Sequence, residues 1–145
     1  FEQSPSFGAK NPQPGEAVRW MKQAKFDLEA AKCDSLIKCK EWICYICLQS
    51  AEKALKAALY YIDALEASLS HDVPSIARHL QDDKLISAAT QLQALTGEHT
   101  TTRYPSKVPY PKTPHDVYLW KDTSTVIALT EQIIDQSQAL MDRLH

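Results

Sequence analysis

The sequence predicts an all-α protein, an up-and-down bundle of about five helices with a long proline-rich loop before the last one. Three observations carry that prediction. No segment alternates polar and apolar residues over the length of a strand, as a half-buried strand requires. Long segments instead repeat apolar residues at helical spacing. Gly and Pro, which interrupt helices, are concentrated: three Pro and two Gly in the first 15 residues, four Pro from Pro105 to Pro114, and a single Pro between Gly15 and Gly97.

Residues 1–15, rich in Pro, Gly, Ser, Gln and Asn, read as a linker arm, and residues 16–145 as one helical domain. The first helix runs from Glu16 to about Cys33, with Ala17, Trp20, Met21, Ala24, Leu28 and Ala31 along one stripe. The second, from about Lys40 to Asp63, is the most apolar segment. Its broad face of Cys44, Cys47, Ala51, Leu55, Ala58 and Ile62 places it at the centre of the bundle. Asp72 before Val73-Pro74 marks the start of a short third helix through Leu80. A fourth runs from about Asp83 to Leu95, with Gly97 where a left-handed C-cap is expected. The last helix opens with Thr113-Pro114-His115-Asp116, an N-cap hydroxyl followed by Pro and an acid in the first turn. It carries Leu119, Val126, Ile133 and Leu140 one heptad apart and is expected to run unbroken nearly to the C-terminus.

Length and charge bound the function. At 145 residues, 44% apolar and 23% charged, the chain suits one globular domain. A net charge of -2 argues against broad nucleic-acid binding, DNA included, while leaving a local phosphate site open. The longest apolar run, Trp42 to Leu48, is far short of the roughly 20 residues that a membrane-spanning helix needs. No charged-then-apolar leader is visible, and the start on Phe1 suggests a piece cut from a longer protein.

Three features are candidates for chemistry. Cys44 and Cys47 form a CxxC, but at helical spacing both point to the same side as Ala51 and Leu55, and no second CxxC or nearby His completes a tetrahedral metal site. Buried, reduced structural thiols are the expectation, and they fit a reducing compartment. On the other face of the second helix Trp42, Ile46, Gln49, Lys53, Lys56 and Tyr60 fall together. This is either a solvated face with Glu52 and Lys56 as an i,i+4 pair, or a contact surface: a dimer seam or a basic pocket with aromatic walls. Between His99 and His115 there is no acid, while Arg103, Lys107 and Lys112 lie among Tyr104 and Tyr110. Such a loop binds an anion with a tyrosine as stacking face, or simply covers the bundle as a Pro-stiffened strap. No HExxH, paired-carboxylate, Ser-His-Asp or P-loop pattern assigns catalysis.

Several of these residues carry a resemblance. Glu41-Trp42 followed by Cys47-Leu48-Gln49-Ser50-Ala51-Glu52-Lys53-Ala54-Leu55-Lys56-Ala57 resembles the second-helix signature of HEPN domains (higher eukaryotes and prokaryotes nucleotide-binding). Trp20, Ala24, Asp27-Leu28 and Ala31 are similar to that family's first helix. His71-Asp72 and Thr102-Arg103-Tyr104-Pro105 resemble its later landmarks in the same order. The resemblance runs from about Glu16 to the C-terminus. The Pro-rich stretch and the lead-in from Asn11 to Ala17 look most like the subtype that follows a J-domain in a very large co-chaperone.

The resemblance implies a homodimer that binds a purine nucleotide, GTP or ATP, at a basic cavity near the seam. Lys53, Lys56, Arg103 and Lys107 are then candidates for the phosphates, and Tyr104 supports the loop or stacks on the base. Trp42 and Tyr60 are natural seam residues, although the heptad stripe of the last helix could serve instead. It also puts the chain in the cytoplasm, and the heat-shock chaperone machinery among the partners of the parent protein. Many family members are ribonucleases with an Arg followed four to six residues later by a His. Here eleven residues, four of them Pro, separate Arg103 from His115, so binding and dimerisation without catalysis are expected. A ribonuclease and a pure protein-interaction module are the alternatives.

Overall fold

The computed structural model describes residues 11–63 and 70–144. In chain order they form α1 (Pro14–Ala31), a 3-10 turn (Asp34–Leu36), α2 (Lys40–Ile62), α3 (Val73–Leu80), α4 (Asp83–Thr96), a second 3-10 turn (Pro105–Lys107), α5 (Pro114–Tyr118) and α6 (Thr123–Leu144). Among the described residues there is no strand. The all-helical bundle expected from the sequence is the fold observed, with five substantial helices and one short one.

α2 is the axis. α1 and α6 pack along it, the α3–α4 pair closes a further side, α4 leans on α6, and α5 touches its first turns. Its composition explains the position. Cys44, Cys47, Ala51, Ala54, Leu55, Ala57 and Ala58 are wholly buried, and this run of small side chains lets neighbouring helices approach on more than one side. The stripe expected on α1 is buried as Ala17, Met21, Ala24, Leu28 and Ala31, with Trp20 at its edge. α1 begins at Pro14, so Pro14 and Gly15 of the expected arm form its first turn, where Pro costs no hydrogen bond. Of the remaining arm residues, 11–13 precede the helix and 1–10 lie outside the described part.

Caps explain the other boundaries. Asp72 accepts the Ser75 amide at 3.0 Å, as its place before Val73-Pro74 suggests, and Asp82 does the same for Leu85 at 3.0 Å. Thr113 and Asp116 form a reciprocal capping box at the start of α5. These hydrogen bonds from Thr113 hold the Asp116 carboxyl below its usual range.

The expected last helix is in fact two. α5 stops at Tyr118, whose buried hydroxyl donates to the Thr96 carbonyl, and α6 starts at Thr123. Asp122 caps the new helix, accepting the Thr125 hydroxyl at 2.6 Å and its amide at 3.1 Å. These bonds also depress the Asp122 carboxyl. Heptad spacing passes through the break unaltered, so Val126 and Ile133 are core while Leu119 is 45% exposed. Gly97 does follow α4 with positive φ, but at φ 69° and ψ -170° it adopts a mirror-extended conformation instead of the expected left-handed helical one. A Cβ there would meet the Tyr118 hydroxyl at 3.1 Å.

The thiols divide sharply. Burial pushes Cys44 up to about 12 and Cys47 up to about 11, whereas Ser35 hydrogen bonds lower the exposed Cys33. All four cysteines are free. At neutral pH a thiol reagent such as dithionitrobenzoate is therefore expected to modify Cys33 first, in a phase that Cys33→Ser removes. Cys44 and Cys47 react only on unfolding, and fast modification of either would contradict the packing.

Candidate functional site

One stripe of α2 remains partly open: Trp42, Tyr45, Ile46, Gln49, Lys53 and Tyr60, none of them fully buried. Its two ends differ in chemistry.

At the C-terminal end Trp20 of α1 packs on Tyr60 at 5.3 Å between ring centres. Glu16, Arg19, Trp20, Gln23 and Lys53 line an open cavity of about 400 Å³. Its cations are already paired. Arg19 holds Glu16 at 2.6 Å, Lys53 holds Asp27 at 2.6 Å, and Glu16 also accepts from the Trp20 indole at 3.3 Å. Lys56 is not on the open stripe. It is 4% exposed, with its ammonium 3.1 Å from Glu52, 3.4 Å from the His71 ring and 5.8 Å from the centre of Trp20. Glu52 is shared with His71 at 2.9 Å. A buried cation is tolerated only when so surrounded, and this one reads as scaffold.

At the N-terminal end the Arg103 guanidinium lies 4.5 Å from the centre of the Tyr45 ring and 5.0 Å from that of Tyr104. Its Nε donates to the His99 carbonyl at 3.3 Å, leaving the terminal nitrogens available. Trp42 meets Tyr45 edge to face at 5.9 Å. Lys107 is exposed in the 3-10 turn beside Tyr104, which is 49% exposed. Among the described residues neither Arg103 nor Lys107 has a carboxylate partner. His115 places Nδ1 3.0 Å from the buried Glu41 carboxylate.

The expected site residues thus fall into two groups. Arg103, Tyr104 and Lys107 gather at Tyr45; Lys53 and Lys56 lie toward Trp20, about 12 Å along the helix from Tyr45 to Lys53 at 1.5 Å per residue. Arg103 and His115 make no direct contact among the interactions observed. They sit on different segments, but each leans on α2, at Tyr45 and Glu41, one turn from each other. Sequence reasoning missed Tyr45, Arg19 and Gln23, and took Trp20 only for core. Tyr45 had a readable signal, three residues after Trp42 on one helix face; Arg19 and Gln23 had none.

The described residues hold no cluster of His, Cys, Asp or Glu suited to a metal ion. No helix among them is long and apolar enough to cross a membrane.

An all-helical bundle with this α2 is the architecture of a known class: the profile of the HEPN domain matches residues 17–139, and the chain belongs to the HEPN domain family. Among individual proteins, human sacsin is 29% identical over 136 residues, 90% of this chain and 3% of sacsin. The chain therefore spans a small fraction of that relative. The crystal structure of an archaeal HEPN homologue is also similar, at 25% identity and a TM-score of 0.66, covering 86% of this chain and 97% of its own.

Proposed function

We propose that this chain is the nucleotide-binding homodimerisation domain of a large sacsin-like co-chaperone, without catalysis, with GTP or ATP as ligand. The observation that carries the reading is the pair of uncompensated cations, Arg103 and Lys107, beside the exposed ring of Tyr104 at one end of an open aromatic stripe. A polyphosphate gains most from cations that do not have to leave a carboxylate, and Arg offers it two parallel hydrogen bonds. Lys53 contributes second, because it must exchange Asp27 for phosphate. Tyr104 or Trp42 stacks on the purine.

The same stripe is the dimer seam, with Trp42 and Tyr60 buried by a second copy about a two-fold axis. An axis near Gln49, midway between Tyr45 and Lys53, brings Arg103 of one protomer toward Lys53 of the other and joins the two basic ends into one cavity. The cytoplasm and the heat-shock chaperone machinery are the setting this reading assigns to the parent chain. GTP or ATP at 100 times its Kd adds about 2.7 kcal/mol of stability, so a rise in melting temperature is expected with either nucleotide and not with the nucleoside. No rise with any nucleotide would leave a protein-interaction module.

One observation favours a second reading. Arg103 and His115 approach the same two turns of α2, as a ribonuclease pair would need. Against it, His115 is engaged with Glu41 and the Arg103 guanidinium lies against two tyrosine rings. Cleavage of single-stranded RNA, lost in Arg103→Ala, would establish that reading.

A further inference from the structure

On the opposite side of α1 from Trp20 lies a second concavity. Val18, Lys22 and Lys25 fall about half a helical turn away from Glu16, Trp20 and Gln23, so this surface is separate from the α2 stripe. α1, the end of α2 at Tyr61, and α6 enclose a groove of about 320 Å³. Ala17, Val18, Met21 and Met141 give it apolar walls. Both methionines of the chain meet there, and Val18 remains 60% exposed. Methionine is the side chain best able to reshape itself around an incoming apolar group.

The charges at its edges are unequal. Lys22 and Lys25, one turn apart on the α1 edge, are exposed and have no carboxylate partner among the described residues. On the α6 edge the single acid, Asp142, already accepts a hydrogen bond from Gln138 at 3.0 Å. Asp142 likewise has no cation partner among the described residues, so the lining carries two cations against one carboxylate and is positive on balance.

We propose that the α1–α6 groove docks an acidic amphipathic helix of a partner protein. A slot between two packed helices accepts the side-chain ridge of a third, with large apolar residues at i and i+3 or i+4 entering it. Carboxylates along one flank of that helix, a turn apart, meet Lys22 and Lys25. Charge selects the partner, while Val18 and the aliphatic stems of Lys22 and Lys25 supply most of the contact area over a floor formed by Met21 and Met141, which are 3% and 6% exposed.

The two methionines also supply the test. In protein labelled with 13C at the methionine methyl groups, Met21 and Met141 report directly on the groove, each assigned by its Met→Leu variant. A synthetic leucine–glutamate amphipathic helix is titrated beside its leucine–lysine counterpart. Both methyl signals are expected to move with the acidic peptide, which binds about tenfold more tightly than the basic one, and Lys22→Glu/Lys25→Glu reverses the preference. Both lysines are exposed, so this variant is expected to keep its helical circular dichroism. The proposal is overturned if neither signal moves with the acidic peptide or if the two peptides bind equally. It is also overturned if dilution alone moves both signals, which would make a second copy the occupant.

Discussion

Lys56→Ala is expected to lower the free energy of unfolding by about 3 kcal/mol, because it leaves the buried Glu52 carboxylate without its ammonium partner. Lys53→Ala, three residues earlier on the same helix, costs about 1 kcal/mol, since its pair with Asp27 is nearer the surface and water replaces the lost partner. The comparison separates a lysine that belongs to the fold from one that belongs to the site. Urea denaturation reads both. If Lys56 is scaffold, replacing it together with Glu52 by apolar residues of similar volume restores most of the stability, because neither charge is then buried alone. Equal and small losses for the two lysines would mean that Lys56 is solvated after all.

Trp42→Glu is expected to dissociate the proposed dimer while leaving the protomer folded. Trp42 is 45% exposed within one chain, so its removal takes little from the core. Within a seam, however, a buried tryptophan commonly carries more than about 2 kcal/mol of binding, or some 30-fold in the dissociation constant. A glutamate there adds a charge that association would have to desolvate. Sedimentation equilibrium is expected to give a dimer for the parent chain and a monomer for the variant, with the same helical content. A dimer persisting in Trp42→Glu would move the seam elsewhere.

Much of this architecture was legible because it rests on local chemistry. The α2 stripe from Cys44 to Ala58, the Asp72 cap and the Thr113–Asp116 box depend on spacing within a few residues, and each is found where the sequence suggests. The break before α6 was missed because a heptad pattern survives a four-residue interruption: Leu119 keeps its place in the count but loses its place in the core. Asp122 and Thr125, three residues apart, were the signal that outweighed it.

The site was half legible. The acid-free loop pointed to Arg103, Tyr104 and Lys107, and the structure places Arg103 against the Tyr104 ring. That Arg103 rests on Tyr45 depends on contacts between residues 58 positions apart, which no local pattern encodes. Lys56 shows the same limit in reverse. Its i,i+4 pairing with Glu52 was readable, but its burial comes from Trp20 and His71, brought in by other segments.

In the proposed function the uncompensated cations beside Tyr45 hold the phosphates of a purine nucleotide. Calorimetric titration of GTP into the purified domain and into Arg103→Ala tests it most directly, with ATP and Lys53→Ala alongside. Binding is expected to fall about 10- to 100-fold in Arg103→Ala, the worth of a charge-assisted hydrogen bond, and less in Lys53→Ala. Binding undiminished in Arg103→Ala, or no binding by the parent chain, would contradict it.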